Sequence, residues 1–212
     1  LNHRTAAIDL REMLTIEKEQ LAPSLGLLSQ YVEHGIIVST CNRLEIYIYN
    51  RDEPGDRNEP ALVQTIGNFL TASSGVAGTN LEEHLYHMEG EECARHLFRV
   101  AAGWDSMVVG EPQILGQLKE QFALSVEAEA AGPILHRVFE RAFSVAKRIR
   151  SETGIASRAV SVASAAVELS RKIFESLNGR TVMLIGAGDT GEVAARHLVA
   201  AGAGRLMITN RT

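Results

Sequence analysis

The most constraining feature of this 212-residue sequence is a glycine-rich loop near its C-terminal end. The run Thr181-Val-Met-Leu-Ile185 has the pattern of a buried strand and leads directly into Gly186-Ala-Gly188-Asp-Thr-Gly191. A helical pattern, Glu192 to Ala201, follows. Glycines at these three positions permit a tight turn, a close approach of the backbone to a pyrophosphate, and close packing of helix on strand. The order of strand, loop and helix therefore predicts the start of a Rossmann-type dinucleotide-binding domain.

The residues after the next strand bear on which dinucleotide binds. The strand pattern Arg205 to Thr209 ends in Asn210-Arg211-Thr212. An NAD site usually places Asp or Glu about 20 residues after the loop, and none lies in this stretch. An arginine with amide and hydroxyl neighbours suits a 2′-phosphate, so NADPH is favoured over NADH. Separately, we expect no metal site. The predicted cofactor-binding residues are Gly186, Ala187, Gly188, Asp189, Thr190, Gly191, Asn210, Arg211 and Thr212.

Composition excludes several classes of protein. The uncharged, mostly apolar run Ala159 to Val167 is too short to span a bilayer and is broken by serines. Two cysteines far apart in the sequence argue against a disulfide scaffold and favour a reducing compartment. The net charge of −5 gives no support for a nucleic-acid partner, whose basic surface would have to be local. Because the sequence begins at Leu1 and stops just after a strand pattern, we expect a fragment cut at both ends.

The rest of the chain combines helical and strand patterns. Two short β-rich runs flank Cys41, and helical spacing dominates from Gln113 onward, with Pro133 in the first turn of a helix. A weak break follows at 151–158, where we place the domain boundary. The pattern predicts a small α/β domain, a helical bridge, and the beginning of a second α/β domain.

Cys41 lies in the polar break between two strand patterns, followed two residues later by Arg43. A lone cysteine in a short strand is commonly buried and inert, and that interpretation stays open. If the chain is extended here, residues i and i+2 point to the same side, which would bring Arg43 near the sulfur. A nearby cation lowers a thiol pKa from about 8.5 and raises the thiolate fraction. A thiolate beside a hydride donor suggests attack on an activated carbonyl, formation of a thioester, and its reduction to an aldehyde. Cys93, in an apolar helix stripe, is assigned to packing.

Several segments resemble the glutamyl-tRNA reductase family. The matching stretches are Asn2 to Ala6, Ser39 to Tyr47, Gly110 to Gln117, Glu152-Thr153, Ala159 to Val162, the glycine loop and Asn210 to Thr212. The resemblance implies an α/β fold: an N-terminal catalytic domain with a small antiparallel sheet, including the start of a long linking helix, at 1–153. The N-terminal part of an NADPH-binding Rossmann domain would follow at 154–212. It also implies NADPH-dependent reduction of glutamyl-tRNA(Glu) to glutamate-1-semialdehyde, the first step of five-carbon tetrapyrrole (porphyrin) synthesis.

The same resemblance implies roles for individual residues. Cys41 would be the nucleophile, His96 would assist proton transfer close to the thiol, and Arg43 would bind a substrate carboxylate. The implied substrate-binding set is Thr40, Asn42, Arg43, Ser106, Glu111, Pro112, Gln113 and Gln117. Trp104 stands where the family more often has a smaller apolar residue, which we interpret as a variation in packing.

Partners and location also follow from the resemblance. It implies a homodimer formed through a C-terminal domain absent from this sequence, and contact with glutamate-1-semialdehyde aminotransferase. Localisation would be cytoplasmic, or the plastid stroma if a transit peptide has been removed. Two other functions stay open on the residues alone: a different NADP-dependent dehydrogenase acting on a free small molecule, with Cys41 structural, and a non-catalytic module that senses a dinucleotide.

Overall fold

The structure is a computed structural model that describes residues 1–51, 59–76, 81–155 and 162–210. Within these ranges the side chains of residues 59–61, 162 and 189 are not described. The described residues form two compact units, one of 1–107 with 113–153 and the other of 108–112 with 154–212. The predicted fold class, a mixed α/β chain with a small antiparallel sheet followed by the start of a Rossmann-type domain, is confirmed.

The first unit is built around one antiparallel hairpin. Strands β1 (His34–Thr40) and β2 (Arg43–Tyr49) pair with Thr40 opposite Arg43, which leaves a two-residue turn at Cys41 and Asn42. The start of the chain joins this hairpin through an antiparallel bridge between Asn2 and Arg43.

In the described part of the first unit, seven helical elements surround this hairpin. They are α1 (Ile8–Leu14), α2 (Lys18–Leu28), α3 (Glu59–Ser74), a short 3₁₀ helix (Leu81–His84), α4 (Gly90–Ala101), α5 (Gln113–Glu127) and α6 (Pro133–Glu152). Pro133 begins α6 as predicted, at a position where its missing N–H costs no helical hydrogen bond.

Both faces of the hairpin are covered by apolar side chains. Ile37 belongs to one core, formed with leucines of α1 and α2 and with Phe69 of α3. Ile36 and Val38 point to the other face and join a core of α4, α5 and α6 that contains Phe139. This two-sided burial explains the unbroken apolar run of β1, because alternate side chains of a strand face opposite cores. The hairpin is thus packed between two apolar cores, with its turn at one end of the sheet.

The second unit begins a parallel β-α-β arrangement. Helix α7 (Val162–Phe174) precedes β3 (Thr181–Ile185), α8 (Asp189–Ala200) and β4 (Arg205–Thr209), and β3 pairs with β4 in parallel. Its core joins Val167, Leu177 and Leu198. Most of the segment Ala159 to Val162, one of the stretches that resemble the family, lies outside the described residues. No helix in the described ranges is both long enough and apolar enough to cross a membrane.

Candidate functional site: a thiol turn beside a buried charge network

Cys41 sits at the exposed tip of the β1–β2 hairpin. The register places it, with Asn42, in the turn between Thr40 and Arg43, and its side chain is exposed to solvent. The N–H of Asn42 donates to Oγ1 of Thr40 at 3.3 Å, and the N–H of His3 donates to the carbonyl oxygen of Asn42 at 2.9 Å. The thiol is therefore presented on a short turn that the neighbouring chain holds in place.

A cavity of about 600 Å³ opens beside this turn. Four of the predicted site residues line it: Thr40, Cys41, Asn42 and Gln117. The remaining lining comes from α1, α2, the segment that joins these two helices, Ser39 of β1, Met107 and α5, and it includes the charged side chains of Arg11, Glu12, Glu17, Lys18 and Glu120. The chemistry available at this cavity is that of an accessible sulfur among amide, hydroxyl and ionic groups.

Gln121 is a cavity residue that the sequence interpretation missed. Its Nε2 donates to the carbonyl oxygen of Ser39, and the N–H of Ser39 donates to its Oε1 at 3.1 Å. The side-chain amide of Gln121 thus forms the two backbone hydrogen bonds that a neighbouring strand would form with Ser39, and it fixes the end of β1. Gln121 follows Gln113 and Gln117 at intervals of four on α5, so helical spacing could have identified it.

Arg11 is the second missed residue at this cavity. It projects from α1, and its Nη1 donates to the carbonyl oxygen of Cys41 at 2.6 Å and to Oδ1 of Asn42 at 3.2 Å. Nothing in the sequence near Arg11 indicates this contact, because 30 residues separate it from Cys41.

Arg43 differs from the expectation that it lies beside the sulfur with its guanidinium available to a substrate. Its side chain is 1% exposed; Nη1 lies 2.7 Å from Oε1 of Glu45, and Nη2 lies 3.1 Å from Oδ2 of Asp105. Nη2 also donates to the backbone oxygen of Asp105 at 2.6 Å. The i, i+2 argument fails because Cys41 lies in the turn rather than in the extended strand, where alternation would apply.

Glu45 is the centre of a buried hydrogen-bond network. Besides Arg43, its carboxylate accepts from the hydroxyls of Tyr47 at 2.6 Å and Tyr86 at 2.5 Å, and from Nε2 of His96 at 2.8 Å. Burial alone would raise the pKa of Glu45, but the His96 hydrogen bond and the Arg43 charge outweigh it and lower the pKa to about 2. Glu45 is therefore an anion at neutral pH, buried but fully partnered.

His96 does not line the cavity around Cys41. It lies in the wall of a second cavity, of about 110 Å³, with Glu45, Tyr86 and Cys93. The expected role close to the thiol is thus not reproduced, because the ring is engaged with Glu45. Since a carboxylate can only accept, Nε2 of His96 carries the proton.

Cys93 is half-buried in the wall of this second cavity, and burial raises the pKa of its thiol.

Asp105 connects two arginines that the sequence interpretation did not link. Its Oδ1 lies 3.0 Å from Nη1 of Arg4, and its Oδ2 contacts Arg43. The carboxylate is 5% exposed. Ser106 is also buried, and its Oγ has no hydrogen-bond partner in the part of the chain that the structure describes.

Trp104 is 58% exposed, so interpreting it as a packing variation was wrong: its indole has no core to fill.

The other predicted substrate-binding residues do not line the cavity beside Cys41. Gln113 begins α5 on the exposed side and does not line the cavity at Cys41. Glu111 and Pro112 belong to the segment 108–112, which groups with the second unit. Among the described residues, no cluster of three or more His, Cys, Asp or Glu side chains could hold a metal ion.

The backbone of the glycine loop requires glycine at two positions and leaves open space at a third. Gly186 has a φ of 102°, which favours glycine, and its N–H donates to the carbonyl oxygen of Thr209 at 2.8 Å. A Cβ on Gly191 would lie 2.5 Å from the carbonyl oxygen of Gly186, so this glycine allows α8 to pack on the loop. A Cβ on Gly188 would meet nothing within 4 Å, which leaves open space before the N-terminus of α8.

The remaining residues predicted to bind the cofactor are only partly described. Ala187 and Thr190 belong to this loop and to the first turn of α8, and Asn210 directly follows β4. The side chain of Asp189, together with Arg211 and Thr212, lies outside the described residues.

Comparison with known proteins gives consistent results. The family model described as "Glutamyl-tRNAGlu reductase, N-terminal domain" matches residues 1–153. The model "Shikimate / quinate 5-dehydrogenase" matches residues 168–212. Among curated proteins, the glutamyl-tRNA reductase of Trichlorobacter lovleyi is 50% identical, and that of Geobacter metallireducens 49%, over 100% of this chain and 48% of each relative.

A solved structure is similar over the same extent. The glutamyl-tRNA reductase from Methanopyrus kandleri matches with a TM-score of 0.62 at 32% identity, covering 100% of this chain and 48% of its own. The chain therefore spans about half the length of the curated relatives it matches.

Proposed function

The chain belongs to the glutamyl-tRNA reductase family, and from this we propose that it forms the acyl-accepting half of an enzyme that reduces glutamyl-tRNA(Glu) to glutamate-1-semialdehyde. The observation that carries the proposal is the exposed Cys41 on the wall of a 600 Å³ cavity, within the segment 1–153 that the family model matches. Thr40, Asn42 and Gln117 line the same cavity and supply polar groups for the glutamyl moiety.

The proposed chemistry at Cys41 is acyl transfer. The thiolate attacks the carbonyl carbon of the ester that joins glutamate to the tRNA ribose. A carbon–sulfur bond forms, the carbon–oxygen bond to the ribose breaks, and the ribose oxygen leaves with a proton from solvent, which balances the proton that the thiol released on ionising. A thioester is more electrophilic than the oxygen ester it replaces, and a thiolate departs more readily than an alkoxide when the aldehyde is released.

The glycine loop supports a nucleotide cofactor of the dehydrogenase type, which we propose to be NADPH. The amides at the N-terminus of α8 and the open space at Gly188 would hold its pyrophosphate. When bound, NADPH supplies the hydride. Asn210, Arg211 and Thr212 are the residues proposed to hold the 2′-phosphate.

The buried network positions the hairpin rather than the substrate. Because the guanidinium of Arg43 is committed to Glu45 and Asp105, we assign it to fixing β2 directly behind the thiol turn. The roles predicted for His96, Ser106, Glu111, Pro112 and Gln113 remain proposals for the complete enzyme. So do the homodimer, transfer of the aldehyde to an aminotransferase, and a cytoplasmic location.

Turnover by the complete protein tests the function. With glutamyl-tRNA and NADPH, the wild type is expected to produce glutamate-1-semialdehyde, and Cys41→Ser is expected to produce none. Cys93→Ser is the matched control, because that thiol lies in the second cavity. Near-normal turnover by Cys41→Ser would contradict covalent catalysis. Turnover of a free small molecule, with no reaction of glutamyl-tRNA, would favour a different dehydrogenase.

A further inference from the structure

The turn that carries the thiol is held from one side by a single side chain of α1. Nη1 of Arg11 donates to the carbonyl oxygen of Cys41 at 2.6 Å and to Oδ1 of Asn42 at 3.2 Å. One nitrogen atom thus contacts both residues of the turn. Nε of Arg11 is buried, with no hydrogen-bond partner among the described residues. The guanidinium is therefore partly withdrawn from water, which weakens the screening of its charge.

The other arginine near the turn is occupied elsewhere. Arg43 is 1% exposed and forms ion pairs with Glu45 and Asp105, so its charge is balanced within the buried network. Arg43 also does not line the cavity beside Cys41, whereas Arg11 does. Of the two arginines, Arg11 is the one whose charge faces the thiol cavity.

The remaining charged groups around this cavity do not replace it. Lys18 of α2 is paired with Glu120 of α5. Glu12 of α1 and Glu17, which precedes α2, are acidic and disfavour a nearby anion. His3 contacts the turn through its backbone, and burial together with the charge of Arg4 lowers the pKa of its ring, which disfavours a positive charge there. Without Arg11, the charged residues among those described as lining this cavity would be Lys18 and three glutamates, Glu12, Glu17 and Glu120, a set with net negative charge.

We propose that Arg11 is a positioning residue that fixes the Cys41 turn and supplies the positive charge favouring its thiolate, a role that rests on the acyl-transfer function proposed above. Hydrogen bonds to the Cys41 carbonyl and to Asn42 hold the turn against α1, which limits the directions in which the sulfur can approach an acyl group. The same contacts place a permanent cation against the backbone of the residue that carries the sulfur.

The pH dependence of Cys41 alkylation tests the charge without requiring any substrate. Iodoacetamide modification is followed by peptide mass mapping, which separates Cys41 from Cys93, in the wild type, Arg11→Met and Arg11→Gln. Methionine and glutamine are good helix formers, so α1 is retained, and thermal unfolding verifies the fold. Arg148→Met is the matched control, since Arg148 is an exposed helical arginine paired with Glu152.

Removal of the charge is expected to move the alkylation midpoint up by about one pH unit, which makes the reaction about tenfold slower below the midpoint. Arg148→Met is expected to coincide with the wild type. Profiles of Arg11→Met and Arg11→Gln that both overlay the wild type would overturn the electrostatic part of the proposal.

Arg11→Lys separates position from charge. Lysine keeps the cation but is one bond shorter, so it cannot hold both acceptors of the turn from α1. The alkylation midpoint is expected to stay near that of the wild type, while acylation of Cys41 by glutamyl-tRNA slows about tenfold. Wild-type acylation by Arg11→Lys would overturn the positioning role. If the wild type is not acylated at all, yet the midpoint shifts in Arg11→Met, the acyl-transfer function fails while the charge assignment stands.

Discussion

Nη1 of Arg43 lies 2.7 Å from Oε1 of Glu45, and neither side chain is more than 5% exposed. The pair sits on β2 directly after the thiol turn, on the face that also carries Tyr47. Two charges withdrawn from water in this way persist only when hydrogen bonds replace their hydration, and here Asp105, His96 and two tyrosines do so. The network therefore makes the backbone behind Cys41 rigid.

Arg43→Lys is expected to destabilise the first unit although it preserves the charge. A single ammonium cannot reproduce the separate contacts of Nη1 and Nη2 with Glu45 and Asp105, so we expect a loss of about 2 kcal/mol in the free energy of unfolding. Urea unfolding measures this. The control is Arg148→Lys on the surface of α6, which should change stability by less than about 0.5 kcal/mol. Equal stability of the two variants would refute the network role.

Glu45 is expected to make stability depend on pH in the acid range. Its pKa is lowered from 4.5 to about 2, so the folded state binds this proton less readily than the unfolded chain does. The stabilisation is fully present above about pH 4.5 and disappears as the pH falls towards 2. Glu45→Gln lacks this contribution, and we expect it to be less stable by about 3 kcal/mol near pH 7.

The difference in unfolding free energy between the wild type and Glu45→Gln should therefore shrink steadily between pH 4.5 and pH 2. Denaturant titrations across this range measure it. A difference that does not change with pH would mean that Glu45 is not the ionised centre of the network.

Two glycines of the dinucleotide loop are expected to respond differently to a side chain. Gly188→Ala has open space around its Cβ and should fold normally, yet lose NADPH affinity because the methyl group blocks the approach of the pyrophosphate. Gly191→Ala would place its Cβ 2.5 Å from the carbonyl oxygen of Gly186 and should destabilise the second unit. Calorimetric titration with NADPH and thermal unfolding separate the two effects. Unaltered NADPH binding by Gly188→Ala would contradict the phosphate assignment.

Trp104 is expected to behave as a solvated tryptophan. Because it is the single tryptophan of the chain and is 58% exposed, its emission should resemble that of indole in water and be strongly quenched by acrylamide. Trp104→Leu should alter the free energy of unfolding by less than about 0.5 kcal/mol. A blue-shifted, protected emission would show that the indole is packed.

Local patterns were enough to predict the elements that frame the site. The apolar run of β1, Pro133 at the start of α6, and the strand–loop–helix order at Gly186 each depend on neighbouring residues, and the structure contains all three elements. The contacts of Arg11 with Cys41 and of Arg43 with Asp105 join residues 30 and 62 positions apart. Such pairings depend on how helices pack around the hairpin, which periodicity does not encode.

The same limit explains the error about Arg43. Alternation of side chains holds within a strand, and the register that starts β2 at Arg43 leaves Cys41 outside it. The turn length, which was not predicted from the sequence, decided which arginine lies beside the thiol cavity.

If the sulfur of Cys41 accepts glutamate from its tRNA, intact-mass spectrometry of the complete protein mixed with glutamyl-tRNA and no reductant will detect the acylated protein. We expect one added glutamyl group on the wild type, mapped to Cys41 and removed by hydroxylamine as a thioester. Cys41→Ser should show no such thioester, and Cys93→Ser should behave as the wild type. An unmodified wild type under conditions in which the tRNA stays acylated, or an adduct on another residue, would rule out acyl transfer to Cys41.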